Sequence, residues 1–155
     1  MWTSNGSALA PAIATPSRVP LRLRMAEHPG RSPLHGGWWP QSRDLAVELA
    51  DLVDHFPPRF GRLVGASIFP PEWNPAPWRI PVAGGYVTVG PFPRDDRHLI
   101  HLKTSDRTML HVLVVPPGVS HAQADEALLA SAADGNLRSG TEILQDVAER
   151  TEGGR

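Results

Sequence analysis

The run Gly36-Gly37-Trp38-Trp39-Pro40-Gln41-Ser42-Arg43-Asp44-Leu45 constrains this chain more than any other segment. Two adjacent indoles carry a large apolar surface that is costly to leave in water. The glycines before them and the proline after them restrict what the backbone can do on either side. A fold holding this run must either bury both rings as an anchor or present them as the wall of a binding site. The run leads straight into a helix. Ser42 is expected as N-cap, with Asp44 complementing the helix dipole. Leu45, Leu49, Leu52 and Phe56 recur at spacings of four, three and four and form one apolar stripe, widened by Ala46 and Val53. Pro57-Pro58 ends it, so the helix should run to about residue 55.

The rest of the chain reads mainly as strands. Val19 to Met25 alternates apolar and basic residues, as a half-buried strand does, and Pro20 confines it to an edge or makes it start late. Residues 27 to 37 read as a loop. Arg62 to Phe69 reads as a strand, and the four prolines between Pro70 and Pro77 make an irregular connection around Trp73. Trp78 to Val82 and Tyr86 to Val89 flank Ala83-Gly84-Gly85, a hairpin in which glycine supplies positive φ. Leu99 to Lys103 and Met109 to Val115 form a second hairpin. A tight turn on Asp106 and Arg107 would set His111 opposite Leu102. Leu110 to Val115 is nearly continuous in apolar residues and is placed as a central strand. Ser120 caps a helix from about 121 to 132, and residues 141 to 150 form a last helix with Ile143, Leu144 and Val147 inward.

Composition excludes several functions. The chain has no cysteine, so disulfides, thiol catalysis and thiolate metal sites are ruled out. A net charge of -1 argues against a general electrostatic grip on nucleic acid or an anionic membrane. Arg18, Arg22, Arg24 and Arg31 read as a solvated strand edge and terminal arm. No apolar stretch approaches the roughly 20 residues of a membrane span. Residues 1 to 17 lack the pattern of a signal peptide, and a cytoplasmic location is expected.

Seven histidines suggest no metal site, because His98 and His101 point to opposite faces of their strand and His98 lies far from His111. Asp44, Glu48, Asp51 and His55 form a polar stripe along the first helix, which hard cations or acid–base chemistry could use but which reads first as the solvated face of an amphipathic helix. Asp95-Asp96 reads as turn chemistry. The glycines match no dinucleotide or phosphate loop, and no serine sits in a nucleophile elbow. No cofactor is implied. Trp38, Trp39, Trp73 and Trp78, from two loops, are the candidate ligand or partner site, with Arg43 as an anion-friendly addition. The structural alternatives are a plug closing one end of a small core, and Arg43 bonded to a neighbouring carboxylate.

From about residue 21 to 132, the chain resembles an uncharacterised actinobacterial family, a domain of unknown function. Leu21-Arg22-Leu23, Gly37-Trp38-Trp39-Pro40 with Ser42-Arg43-Asp44-Leu45, Trp73-Asn74-Pro75-Ala76-Pro77 and Leu113-Val114-Val115-Pro116-Pro117-Gly118 carry the likeness. It implies no activity, cofactor or catalytic residue.

The expected fold is α+β. An antiparallel sheet of about five or six strands has a long helix after the first strand, with that helix and one or two C-terminal helices packed on one face. A helix-grip variant is the alternative. Residues 1–17 are expected to be a disordered arm, 18–133 a single domain, and 134–155 a C-terminal helix and tail. The expected function is a non-catalytic binding or regulatory module with a tryptophan-rich surface and a protein or small-molecule partner, without nucleic acid or membrane. The alternative is a hydrophobic-ligand carrier or small enzyme with a tryptophan-lined pocket, using Asp44, Glu48 or His55.

Overall fold

Seven strands form one mixed sheet in the computed structural model, which describes residues 20–27, 32–91 and 98–153. The expected N-terminal arm, Arg18, His28, Arg31 and Asp95-Asp96 lie outside the described residues. The elements are β1 (Leu23–Met25), β2 (Gly36–Trp38), α1 (Leu45–Asp54), β3 (Leu63–Ile68), β4 (Arg79–Val82), β5 (Gly85–Pro91), β6 (Leu99–Thr104), β7 (Met109–Val114), α2 (His121–Ser131) and α3 (Gly140–Gly153). The strand order is β1-β2-β7-β6-β3-β5-β4.

The expected antiparallel sheet is corrected in two places. β2 runs parallel to β7, and β3 runs parallel to β5 while pairing antiparallel with β6. Both hairpins are present as expected, but β3 inserts between them, and this insertion supplies the second of the two parallel pairings. The helix after the opening strands is also short, at 10 residues. Asp44, not Ser42, is its N-cap, accepting from the Val47 amide. The Ser42 hydroxyl instead accepts from the Asp44 amide and donates to Glu48 Oε2 at 2.7 Å.

The helices do not share a face. α1 packs its Leu45, Leu49 and Leu52 into one core with Trp38, Ile100, Leu102, Leu110, Val112 and Val114. α2 and α3 build a second core with Trp39, Leu113 and Val115. Successive residues of a strand point to opposite faces, so β7 feeds both cores in alternation. That is why Leu110 to Val115 reads as a continuous apolar run: this strand is covered on both sides. α1 lies against β4 and α2 against β2, so the two helical layers sit over different halves of the sheet. On the second face, beyond α2 and α3, Arg79, Tyr86, Thr88, Lys103 and Met109 are exposed.

β2 is the element the sequence reading placed in a loop. Gly36 pairs with Met25 of β1 and Val112 of β7, and Gly37 with Arg24 and Leu113. A Cβ on Gly36 would stand 2.5 Å from the Arg24 carbonyl oxygen, and one on Gly37 would stand 2.3 Å from Ser131 Oγ of α2. The two glycines let β1 and α2 close in on β2, and the two tryptophans after them fill one core each.

The β6–β7 turn differs from expectation by one residue. Thr104 N–H bonds the Thr108 carbonyl at 2.9 Å, and Arg107 takes a left-handed conformation (φ 71°), giving a three-residue loop. Leu102 therefore faces Leu110, and His101 faces His111. The Asp106 carboxylate accepts from the Thr104 hydroxyl and from Thr108, and these bonds hold its pKa below the ordinary value.

Candidate ligand cleft at the tryptophan loop

Trp38 and Trp39 follow each other along β2 and its exit, so they point to opposite faces. Trp38 is 1% exposed in the α1 core, where its ring stacks on Trp73 with centroids 5.7 Å apart. Trp39 is 4% exposed in the α2–α3 core. Its indole donates to the Pro116 carbonyl at 3.1 Å, and the Arg22 guanidinium sits 3.5 Å over its ring while bonding the Trp39 and Pro40 carbonyls. These contacts tie the first strand, the tryptophan run and the Pro116-Pro117 corner into one joint. The four indoles do not converge on one pocket.

Trp73 and Trp78 do share one. The chain from Pro70 to Pro77 arches over the N-terminal end of α1, and an open cleft of about 320 Å³ lies between them. Leu45, Ile68, Pro70 and Val89 line its floor and sides, with Asn74 as the side-chain amide at its edge. Trp78 is 57% exposed, although its backbone carbonyl is pinned by Val89 N–H at 2.8 Å. The prolines stiffen the arch, so the wall is set before anything binds.

Arg43 holds this arch in place. Its carbonyl accepts from Asn74 N–H at 2.9 Å, and its guanidinium donates to the Glu72 carbonyl at 2.8 Å and meets the Glu72 carboxylate at 3.4 Å. The carboxylate-bonded alternative is thus the arrangement found, and Arg43 braces the loop.

The polar stripe of α1 is committed elsewhere. Asp44 caps the helix, and Asp51 pairs with His55. Glu48 is 2% exposed and accepts from Gln41 N–H and the Ser42 hydroxyl, anchoring the segment between the tryptophans and the helix. A carboxylate at this inward position satisfies a buried loop, a role that its helical spacing alone did not show. None of these groups lines the cleft. Among the described residues, no group of three His, Asp or Glu is placed to hold a metal ion. No helix among them is long and apolar enough to cross a membrane.

Sequence reasoning missed one further cluster. His35, His111 and His101 form a row across the sheet: His101 and His111 stack at 4.3 Å, and His35 meets His111 edge-on at 5.4 Å. His35 Nδ1 accepts the His111 backbone N–H at 2.9 Å. Burial, then the neighbouring His111, lowers the His35 pKa. The signal was the one-residue turn register, which decides whether His101 and His111 lie side by side.

Fold and cleft together define an α+β domain on a mixed seven-stranded sheet with an open apolar cleft beside its first helix. Residues 22–131 match a family of unknown function (DUF5994), and the chain belongs to that family. No curated protein and no solved structure matches it.

Proposed function

We propose that the protein is a non-catalytic binding module whose cleft between Trp73 and Trp78 takes one bulky apolar side chain or a small aromatic ligand. The carrying observation is Trp78: a large ring left more than half exposed beside an open cleft, on a loop whose backbone is fixed by prolines, Arg43 and Val89. A volume of about 320 Å³ stands at the small end of ligand pockets, roughly 300–1,000 Å³, which limits the occupant to one ring or branched chain. Of the groups that an enzyme reading would use, Asp44 caps the helix, Glu48 anchors a loop and His55 pairs with Asp51, away from the cleft, which favours binding over catalysis. A ligand-carrier role uses the same cleft.

The test is a titration with small aromatic fragments, followed by the indole N–H signals in nitrogen-15 NMR spectra. Saturable shifts confined to Trp73 and Trp78, abolished by Trp78→Ala, are expected. Shifts at the Trp39 indole alone, or no saturable shift across the fragment set, would remove the cleft as the binding site.

A further inference from the structure

Several opposite charges on this chain are joined directly: Arg43 meets Glu72, His55 meets Asp51, Arg138 meets Asp146 and Arg150 meets Glu126. Asp54 and Arg62 behave differently. They line one groove, yet among the described residues no ion pair joins them.

The groove lies beyond the C-terminal end of α1 and shares no lining residue with the tryptophan cleft. Pro57-Pro58 stops α1, and a 3-10 turn at Pro58–Phe60 carries the chain past the helix end. Gly61, at φ 95°, then swings it toward β3 and brings Arg62 beside the Ala83-Gly84-Gly85 turn. Buried Phe56 and Leu63, with half-buried Val53 and Val82, form an apolar floor. The space is about 430 Å³, within the roughly 300–1,000 Å³ of ligand pockets.

The hairpin turn itself holds the two charges on the rim. Asp54 Oδ1 accepts from Ala83 N–H at 2.9 Å, and Arg62 Nη2 donates to the Gly84 carbonyl at 3.0 Å. Neighbouring peptide groups of one turn thus fix both side chains while keeping them apart. Each retains bonding capacity, because a guanidinium has further N–H donors and a carboxylate a second oxygen. α1 carries no basic residue in its last turn, so the negative end of its dipole reinforces Asp54.

We propose that this groove binds a zwitterionic amino acid with a bulky apolar side chain. Its carboxylate meets Arg62, its ammonium meets Asp54, and its side chain lies on the floor of Phe56, Leu63 and Val82. The planar fork of a guanidinium suits a carboxylate. A molecule with one charge meets an attraction and a repulsion on the same rim: a fatty acid is opposed by Asp54, an amine by Arg62. A longer peptide offers only one terminal charge at a time.

The test is a titration of the whole chain with L-leucine, followed by backbone amide signals in nitrogen-15 NMR spectra. Saturable shifts are expected at Ala83, Gly84 and Gly85. N-acetyl-L-leucine lacks the ammonium and L-leucinamide lacks the carboxylate, and each should bind roughly three- to tenfold more weakly. Asp54→Asn should weaken L-leucine by a similar factor and leave N-acetyl-L-leucine no weaker. Arg62→Gln should weaken L-leucine and leave L-leucinamide no weaker. Both side chains belong to exposed residues, and melting curves check that the variants fold. The comparison of analogues needs no variant and decides the matter even where one fails to fold. The proposal is overturned by shifts that do not saturate, or by saturable shifts confined to Trp73 and Trp78. Equal binding of L-leucine and both blocked analogues would report the apolar floor alone and overturn it. So would an equal loss of N-acetyl-L-leucine in Asp54→Asn, which would limit Asp54 to holding the turn.

Discussion

Replacing Gly37 with alanine tests the packing logic of β2 directly. Neither Gly36 nor Gly37 occupies the left-handed region, so alanine meets no backbone strain at either position. Any cost must come from contacts. At Gly37 the added Cβ would lie 2.3 Å from Ser131 Oγ, 3.0 Å from Leu128 Cδ2 and 3.3 Å from Ser131 Cβ. The first of these distances is impossible, and the other two ask for shifts of a few tenths of an ångström. Overpacking of this kind costs about 1–3 kcal/mol, and the upper end is expected because α2 is wedged against β2. Ser131→Ala removes the worst contact, leaving the two milder ones. In that background, Gly37→Ala should cost about 1 kcal/mol, a coupling of about 2 kcal/mol between neighbours. Urea denaturation of the four proteins reads this out. With a slope of about 2 kcal/mol per molar, the single mutant should lose about 1.5 M in midpoint and the pair should recover most of the difference. Gly36→Ala serves as the control. Its Cβ would meet the Arg24 carbonyl oxygen at 2.5 Å and Met25 Cα at 2.8 Å, both backbone, so trimming Ser131 cannot relieve it. An unchanged cost of Gly37→Ala in the Ser131→Ala background would refute the close-approach account, and so would equal rescue of Gly36→Ala.

Trp39→Ala should destabilise by about 3–5 kcal/mol in thermal or urea melts, since it empties a buried site and strands the Pro116 carbonyl, whereas Trp78→Ala should stay within about 0.5 kcal/mol. Glu48→Ala should cost about 1–3 kcal/mol because Gln41 N–H and the Ser42 hydroxyl lose their buried acceptor, and amide exchange at Gln41 should quicken. His35 has a lowered native pKa, so its contribution is complete above the unfolded value of about 6.5 and is lost as pH falls below it toward the depressed native value. His111 and His101 stand beside it, so His35→Gln should flatten the fall in melting temperature between about pH 7 and 5; an unchanged slope would assign that fall to other groups.

Much of the architecture was legible because local periodicity carries it. The stripe Leu45, Leu49, Leu52, Phe56 gave α1, the Gly84-Gly85 turn gave the β4–β5 hairpin, and Ser120 gave the start of α2. β2 was not legible. Two glycines make a poor strand by propensity, and three residues show no alternation; only hydrogen bonds to β1 and β7 on both sides hold it extended. The histidine row was hidden by one residue of turn register. Of the candidate site, Trp73 and Trp78 were recognisable as loop aromatics, but adjacency in sequence suggested that Trp38 and Trp39 act together. Extended backbone separates them, because consecutive side chains leave a strand on opposite sides.

By itself, the sequence determined the parts: which segments bury a stripe, where hairpins turn, and that no thiol chemistry is available. Tertiary structure decided how the parts face one another. Inserting β3 between two hairpins and β2 between β1 and β7 made the sheet mixed and put α1 opposite α2 and α3. It also left a ring-walled cleft beside α1. These outcomes depend on pairings between residues far apart in the chain, whose free energy comes from surfaces and hydrogen bonds that no local window contains.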